Sequence, residues 1–465
     1  MTARSRRCWA AALATLLCAA AARPAGAATR TFKLPNGLSV ALAPDSSCAT
    51  VDVALWFPAG TRFEGAGQSG ITHLFDGLLF AGTPRHPAGE HFRLIQREGG
   101  DATSLSTPDF SCVDDDVPSG ALALALQLEA DRMMHLDLNA RTLENARAAL
   151  RREHQTSDER SALGVSLRRL YEAAFAGHPY RHPTLGNESD VAHLTLPVVQ
   201  AWWRDHYGPS GTWLTIAGGF DPDSAEALVR RSFGPVPRRG VAAASASQRL
   251  ALPAAERRAS GNVQAQVPLL LIGWRTPSEG DPDAAALDVL DHLLTRGGAE
   301  SLENTLVTDS SACLAVQAAM DLRRDGGLFY VAAAIRPTVD STDAESQIER
   351  AVERLGHDAR TTDALEGARR RTELETLFSW QTSRGMGRAL GLSVLTGGPD
   401  YEARRMDQLS RLTPAATLEV AARTFIPAHR VVVWMYPAPP PSVTAPAPTR
   451  RPRPAATPAR RKGSR

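Results

Sequence analysis

Residues 60–83 read GTRFEGAGQSGITHLFDGLLFAGT. Glycines and polar residues fill the first half of this stretch, and apolar residues recur every three to four positions over Gly70–Phe80. The first half predicts a loop, and the second predicts an amphipathic helix that carries His73 and Asp76. Just before the loop, Val51–Phe57 is rich in β-branched and aromatic residues and predicts a strand. A strand, a polar loop and a helix therefore follow one another here.

Strand and helix signals alternate along the rest of the body, without a glycine-rich dinucleotide loop. The same periodicities predict further helices over Gly89–Glu98, Ser119–Asp137 and Thr142–Ser157, and further strands over Thr31–Val40, Phe110–Val113 and Trp213–Ala217. A segment rich in Ala, Arg and Ser, residues 237–260, predicts a linker between two domains.

The pattern restarts after the linker. Val267–Trp274, a polar loop and a helix around Asp288–Thr295 repeat the order of the first half, and Val431–Tyr436 closes the repeat with a strand. We interpret this as the duplication of one unit. The predicted fold class is α+β, with two similar halves at residues 28–236 and 261–436, each an antiparallel or mixed sheet packed by helices.

Composition and charge narrow the possible function classes. The chain has 465 residues, of which 43% are hydrophobic and 22% charged, so it is neither disordered overall nor a polytopic membrane protein. Residues 1–27 contain four Arg, and residues 437–465 contain seven basic residues. The residues between them therefore hold 41 basic and 50 acidic side chains, a net charge of −9. Nucleic-acid recognition needs a net basic face, so a nucleic-acid partner is not expected.

The two ends of the chain predict export and a disordered tail. Three Arg precede the apolar run Cys8–Ala22, and small residues follow it at Ala25-Gly26-Ala27, which indicates a signal peptide over residues 1–27. The mature chain is then periplasmic or secreted, with no transmembrane segment. Residues 437–465 hold nine prolines and no acid, a composition that cannot form a packed core.

Several motifs in the body carry a resemblance to a known family. After residues 60–83 come Gly99-Gly100, Asp109-Phe-Ser111, Arg152-Glu153 and His178-Pro-Tyr180. In this order they resemble the pitrilysin/insulinase metallopeptidase family, which includes the mitochondrial processing peptidases. The resemblance covers roughly residues 31–436, and it implies a fold of two similar halves.

The resemblance also assigns roles around His73. Active members of the family bind zinc through H-x-x-E-H and a distant glutamate. Two histidines four positions apart lie about 40° apart on one helix face, so both can reach one ion. Here His73 holds the first ligand position, Asp76 the position of the catalytic glutamate, and Gly77 the second ligand position. Glu153, 76 residues after Gly77, holds the third ligand position. Tight catalytic zinc is therefore not expected, and no cofactor is assigned.

Substrate-holding positions of the family also differ in this chain. The second half of active one-chain relatives, or of the non-catalytic partners of split ones, presents an arginine and a tyrosine seven residues apart. By alignment these are Val307 and Leu314, although Arg296 or Tyr330 could act from elsewhere. The edge-strand Asn-Ala of the family is Thr103-Ser104 here, which puts peptide pairing along that edge in doubt.

Three functions stay open from the sequence. The resemblance implies that two such chains close on each other, so the first hypothesis is an inactive subunit that forms a heterodimer with an active zinc peptidase and acts on peptides. The second is an active metalloendopeptidase with an unusual site of His73, Asp76 and Glu153, which would suit manganese better than zinc. The third is an envelope scaffold that uses its basic tail to hold an acidic surface.

One further motif, His86-Pro-Ala-Gly-Glu90-His91, looks like a displaced metal motif. Pro87 and Gly89 would break the helix that such spacing requires, so we predict a loop and a helix start instead. A nucleophilic hydrolase is not expected either, because nothing like G-x-S-x-G occurs. The cysteines left after export, Cys48, Cys112 and Cys313, are too few and too widely spaced for a disulfide framework and are expected to be core thiols.

Overall fold

A computed structural model describes residues 29–156, 160–239, 250–296, 298–353, 355 and 361–438. The predicted signal peptide over residues 1–27 lies outside these ranges, as does all but the first two residues of the predicted tail. None of the helices in the described ranges combines the length and apolarity that crossing a bilayer requires.

The first sheet has six strands in the order β1-β2-β6-β3-β5-β4. Their bounds are β1 Arg30–Lys33, β2 Ser39–Pro44, β3 Thr50–Phe57, β4 Asp101–Ser106, β5 Ser111–Pro118 and β6 Trp213–Gly218. Strands β2 and β6 run parallel, and the other neighbouring pairs run antiparallel. The sequence did not predict β4, because its residues Asp-Ala-Thr-Ser-Leu-Ser are mostly polar or small, as is common for an edge strand.

Eight helices belong to the first half in the described residues. Their bounds are α1 Ile71–Leu78, α2 Glu90–Arg97, α3 Leu122–His135, α4 Ala140–Thr156, α5 Ala162–Ala174, α6 Glu188–His193, α7 Leu196–His206 and α8 Pro222–Phe233. The four helices predicted from periodicity correspond to α1 to α4. Most of these helices pack with one face of the sheet into a continuous apolar core.

The second half repeats this architecture with a five-stranded sheet in the order β7-β11-β8-β10-β9. Its elements are β7 Arg257–Val263, β8 Leu269–Thr276, α9 Ala284–Arg296, β9 Cys313–Asp321, β10 Gly327–Ile335, α10 Ser341–Glu353, α11 Thr361–Ser379, α12 Ser383–Thr396, α13 Tyr401–Arg411, α14 Pro414–Thr424 and β11 Arg430–Pro437. One pair, β7 with β11, is parallel, as in the first sheet. Two similar halves confirm the predicted fold class. The predicted linker overlaps the second sheet at Arg257–Ser260.

Each half also contributes one helix that packs on the sheet of the other half. Helix α5 of the first half packs on β7, β8 and β11, and helix α12 of the second half packs on β3 and β6. Two glycines of α12 allow this close approach, because a Cβ at Gly387 would overlap the Asp52 carboxylate and one at Gly391 would overlap the Trp56 ring. The halves therefore complete each other's cores.

The polar end of α12 is also attached to the first sheet. Ser383 Oγ donates to Asp116 Oδ1 at 2.6 Å, and the Arg384 guanidinium lies 2.8 Å from Asp114 Oδ2. Asp52, beneath the same helix, is 1% exposed. Burial, together with the charges of Asp114 and Asp116, raises its pKa well above the ordinary range. The contact between the halves thus combines apolar packing with a buried acidic group.

A second polar junction joins the halves through motif residues. Arg62 lies 2.7 Å from Asp325 of the second half and 3.3 Å from Asp109 of the first. The Tyr180 hydroxyl donates to Asp109, and the backbone N–H of Arg324 donates to Asp109 Oδ2 at 3.1 Å. Removing one partner from such a buried network typically costs about 3–5 kcal/mol. Arg62, Asp109 and Tyr180, which lie in the motifs that carry the resemblance, therefore take part in the contact between the two halves.

The three cysteines in the described residues are free. Cys112 and Cys313 are buried, as expected for core thiols, whereas Cys48 is only partly buried. Burial raises the pKa of Cys313 to about 11, so this thiol is not a reactive thiolate at neutral pH.

Candidate functional site

Helix α1, which carries the candidate site, is fixed at its start by Glu64. The backbone N–H groups of Gly70 and Thr72 each donate to the Glu64 carboxylate at 3.0 Å. A carboxylate at this position binds the free N–H groups and the positive end of the helix dipole. Burial raises the pKa of Glu64 to about 7, although the two N–H donors act in the opposite direction. The helix is therefore held by protein groups alone.

The structure places the side chains of His73 and Glu153 next to each other. His73 Nε2 on α1 lies 3.0 Å from Glu153 Oε1 on α4, and His73 Nδ1 lies 3.1 Å from Asp76 Oδ2 one turn further along α1. The Nδ1 contact lacks hydrogen-bond direction, so it is an electrostatic contact. The His73 side chain is 20% exposed, and that of Glu153 is 51% exposed.

Edge strand β4 holds Asp76 from the other side. Ser106 Oγ donates to Asp76 Oδ1 at 2.7 Å, and Ser104 Oγ donates to the Asp76 carbonyl at 3.3 Å. Thr103, at the position of the family's asparagine, donates instead to Asp114 within the sheet, at 2.6 Å. The Asp76 carboxylate therefore accepts a hydrogen bond from a serine of the edge strand.

The three candidate ligands do not converge on one point. Asp76 faces one ring nitrogen of His73 and Glu153 faces the other. An imidazole binds a given ion through a single nitrogen, so both carboxylates cannot join it at the same ion in this arrangement. Burial lowers the pKa of His73, but the close contacts with Asp76 and Glu153 and the negative charges of both outweigh burial and raise it to about 9. At neutral pH the imidazole is then protonated in the metal-free chain, so a metal ion would have to displace this proton to bind.

Gly77 lies on the exposed side of α1, one helical turn after His73. A Cβ added to Gly77 would meet no atom within 4 Å, so the helix has room for a side chain that the sequence does not supply. With no donor at this position and two carboxylates on opposite ring nitrogens, the residues present do not fit a catalytic zinc ion.

The second half presents no Arg and Tyr pair at the aligned positions. Val307 lies in a π-helical segment and packs against the core, and Leu314 is 45% exposed on edge strand β9. Tyr330 is buried in the core beneath α5, so it does not reach a substrate. Arg296 is occupied by Glu375 at 2.9 Å.

The structure assembles one cluster that the sequence did not reveal. His91 on α2, Asp115 on β5 and Glu129 on α3 place ligand atoms within 4.8 Å of one another. The sequence singled out His91 only as part of a local motif, and helix α2 does begin after Gly89 as predicted. Because its partners come from a separate strand and helix, no local spacing indicates this cluster.

Comparison with known proteins places the whole body in one family. The model of the insulinase family, peptidase family M16, matches residues 39–188, and the model described as the peptidase M16 inactive domain matches residues 193–372. The chain belongs to the M16 peptidase family. The two matches include five of the six strands of the first sheet and four of the five strands of the second, so the resemblance carried by residues 60–83 reaches into both halves.

Relatives and solved structures agree with this M16 assignment. An uncharacterized zinc protease of Mycobacterium tuberculosis is 29% identical over 68% of this chain and 72% of the relative. A probable mitochondrial-processing peptidase subunit beta of Arabidopsis thaliana is 23% identical over 86% of this chain and 76% of its own length. A crystal structure of a protease from Helicobacter pylori superposes with a TM-score of 0.81 at 20% identity, covering 88% of this chain and 99% of that one.

The protonated His73 predicts a pH-dependent stability. The folded-state pKa of His73 is raised from 6.5 to about 9, so its contribution is complete below 6.5 and is lost as pH rises through 9. Because Glu153 is half exposed and screened by water, we expect the loss to be about 1 kcal/mol. Urea midpoints at about pH 6 and about pH 9.5 measure it.

Variants attribute this pH effect to His73. His73→Gln should remove the pH-dependent loss of stability. His135→Gln is the control, because His135 also lies beside an aspartate, with its Nδ1 3.0 Å from Asp131 Oδ1, and this variant should keep the loss. If His73→Gln shows the same loss between the two pH values as the unsubstituted chain, the attribution is wrong.

Proposed function

We propose that this chain is a non-catalytic subunit of an exported M16 peptidase, which pairs with a separate active zinc-binding M16 chain. The observation that carries the proposal is Gly77, which leaves the second zinc position of α1 without a donor atom. Domain bounds of 28–236 and 261–436, the signal peptide at 1–27 and the periplasmic or secreted location belong to the same proposal.

Three features support a subunit role. His73 is held by Asp76 and Glu153 in an ion-pair arrangement, so the remnant of the motif needs no metal. Glu64 and the junction between the halves keep the M16 shape without an ion. A relative that aligns with 86% of this chain is itself named as a peptidase subunit. In the proposed heterodimer, the net charge of −9 on the part of the chain between residues 27 and 437 would favour basic or unstructured peptides.

The second candidate function is an active metalloendopeptidase with an unusual metal site, and one observation favours it. His73, Asp76 and Glu153 are adjacent, and a relative of the chain is named a zinc protease. For this function one carboxylate would have to move to the other side of the ring, and Glu153 has the exposure to do so. A site of one imidazole and two carboxylates suits manganese better than zinc.

Two measurements test the proposed function. The mature chain is assayed for chelator-sensitive cleavage of an unstructured basic peptide, alone and after mixing with an M16 chain of similar length that has an intact H-x-x-E-H motif. We expect no cleavage by the chain alone, and co-elution with the partner together with faster cleavage. Cleavage by the isolated chain that His73→Ala abolishes would establish the second candidate instead. Failure to bind such a partner would count against the subunit role.

A further inference from the structure

We infer that His91, Asp115 and Glu129 form a second site, composed of other residues than the degenerate zinc motif, that binds one divalent transition-metal ion. This inference does not depend on the proposed function. The three side chains come from α2, β5 and α3, so an ion here would connect two helices to the first sheet.

The spacing of the donor atoms suits a small ion. His91 Nε2 lies 2.8 Å from Asp115 Oδ1 and 3.9 Å from Glu129 Oε1. Ligands bonded to zinc at about 2.0–2.2 Å in tetrahedral geometry lie about 3.4 Å apart, which falls between these two distances. Unlike the groups around His73, both carboxylates here approach the same ring nitrogen.

The site is buried, and its carboxylates are incompletely satisfied. The side chain of His91 is 12% exposed, that of Asp115 is 1% exposed and that of Glu129 is 0% exposed. Asp115 Oδ2 and Glu129 Oε2 are buried and accept no hydrogen bond from any residue within the described ranges. Buried carboxylate oxygens normally have partners, since an unpaired one costs several kcal/mol. They belong to the two carboxylates whose other oxygens face His91 Nε2, Asp115 Oδ1 through a hydrogen bond and Glu129 Oε1 while paired with Arg132, so a cation bound beside the imidazole would supply the missing partner.

A neighbouring arginine sets the charge of the site. The Arg132 guanidinium bonds to Glu129 and lies 4.6 Å from the centre of the Phe80 ring. With two carboxylates, one guanidinium and a neutral imidazole, the cluster carries a charge of about −1 at neutral pH. Burial, with the charge of Arg132, lowers the pKa of His91. Arg132 can then orient Glu129, as partners of metal-binding carboxylates commonly do.

The donor set and the space define the ion. One imidazole nitrogen with two carboxylate oxygens is typical of Zn²⁺ or Mn²⁺ and is a poor set for soft ions such as Cu⁺. A cavity of about 20 Å³ adjoins His91 and Arg132, and this is room for one water molecule as a further ligand. Because the side chains of Asp115 and Glu129 are almost fully buried, the ion would have a structural role.

Metal titration of the chelator-treated chain tests the inference. We expect uptake of one equivalent of Zn²⁺ or Mn²⁺ and a rise in Tm with the metal. His91→Gln and Asp115→Asn should each weaken binding by about 100-fold or more, since even the loss of an outer hydrogen-bond partner costs about 10–100-fold. His73→Gln, the matched control at the degenerate motif, should bind like the unsubstituted chain.

Each outcome decides between the two sites. Uptake that survives in His73→Gln and is lost in His91→Gln supports the second site. No uptake by the unsubstituted chain overturns the inference and leaves the proposed function intact. Uptake lost only in His73→Gln overturns the inference and also contradicts the proposed function. If His91→Gln does not fold, anomalous diffraction from zinc-soaked crystals of the unsubstituted chain decides, because the peak lies either between His91, Asp115 and Glu129 or elsewhere.

Discussion

The double variant Asp76→Glu, Gly77→His is expected to bind zinc at least about 100-fold more tightly than the unsubstituted chain at the α1 motif. Positions 73 and 77 lie on one face of α1, and a side chain at position 77 meets nothing within 4 Å of its Cβ. Glu153 is already 3.0 Å from His73 and supplies the third ligand. Zinc binding would then compete with the protonated form of His73 and depress its pKa.

Competition titration against a zinc chelator measures this gain. Gly77→Ala is the matched control, since it replaces the glycine with a better helix former without adding a donor atom. The experiment is best done in the His91→Gln background, so that the two sites are not confused. Equal zinc affinity in Gly77→Ala and in the double variant would show that the missing imidazole is not what keeps the motif metal-free.

Gly391→Ala is expected to lower the free energy of unfolding by about 3 kcal/mol. An added methyl at this position of α12 would overlap the Trp56 ring, which is 2% exposed and cannot move aside. Helix α12 would have to lift from β3 and β6, which would also separate Arg384 from Asp114. Urea unfolding followed by tryptophan fluorescence measures the change.

Gly367→Ala on α11 is the matched control for this prediction. A Cβ at Gly367 meets only the flexible Arg371 guanidinium, at 3.7 Å, so the same substitution should be neutral or stabilise the helix by up to about 1 kcal/mol. If Gly391→Ala and Gly367→Ala unfold at the same urea concentration, α12 does not contribute the packing that the fold assigns to it.

Local patterns predicted part of the secondary structure, because amphipathic periodicity is a property of neighbouring residues. Helices α1 to α4 and strands β3 and β6 follow from that signal. Strand β4 did not, since a polar edge strand lacks it, and neither did the start of β7 at Arg257. The packing of α5 and α12 on opposite sheets depends on contacts between distant segments, which no window of sequence contains.

The candidate site shows the same division. The family motif singled out His73 and Glu153, and the structure puts their side chains 3.0 Å apart. That the two carboxylates take opposite ring nitrogens depends on side-chain orientation, which spacing cannot give. His91, Asp115 and Glu129 come together only in the folded chain. From the sequence alone, residues 86–91 were rejected as a metal motif because a proline and a glycine would break the helix that such spacing requires, and this local argument could not include Asp115 or Glu129.

The crossed helices α5 and α12 make the two halves complementary fragments. A protease site engineered between residues 240 and 249 would divide the polypeptide into two pieces, each lacking a helix that its own sheet requires. Each piece alone would expose a large apolar face of its sheet to water and would aggregate. Produced together, the pieces should reassemble without a covalent connection, so this chain is a natural starting point for a split reporter whose signal depends on reunion.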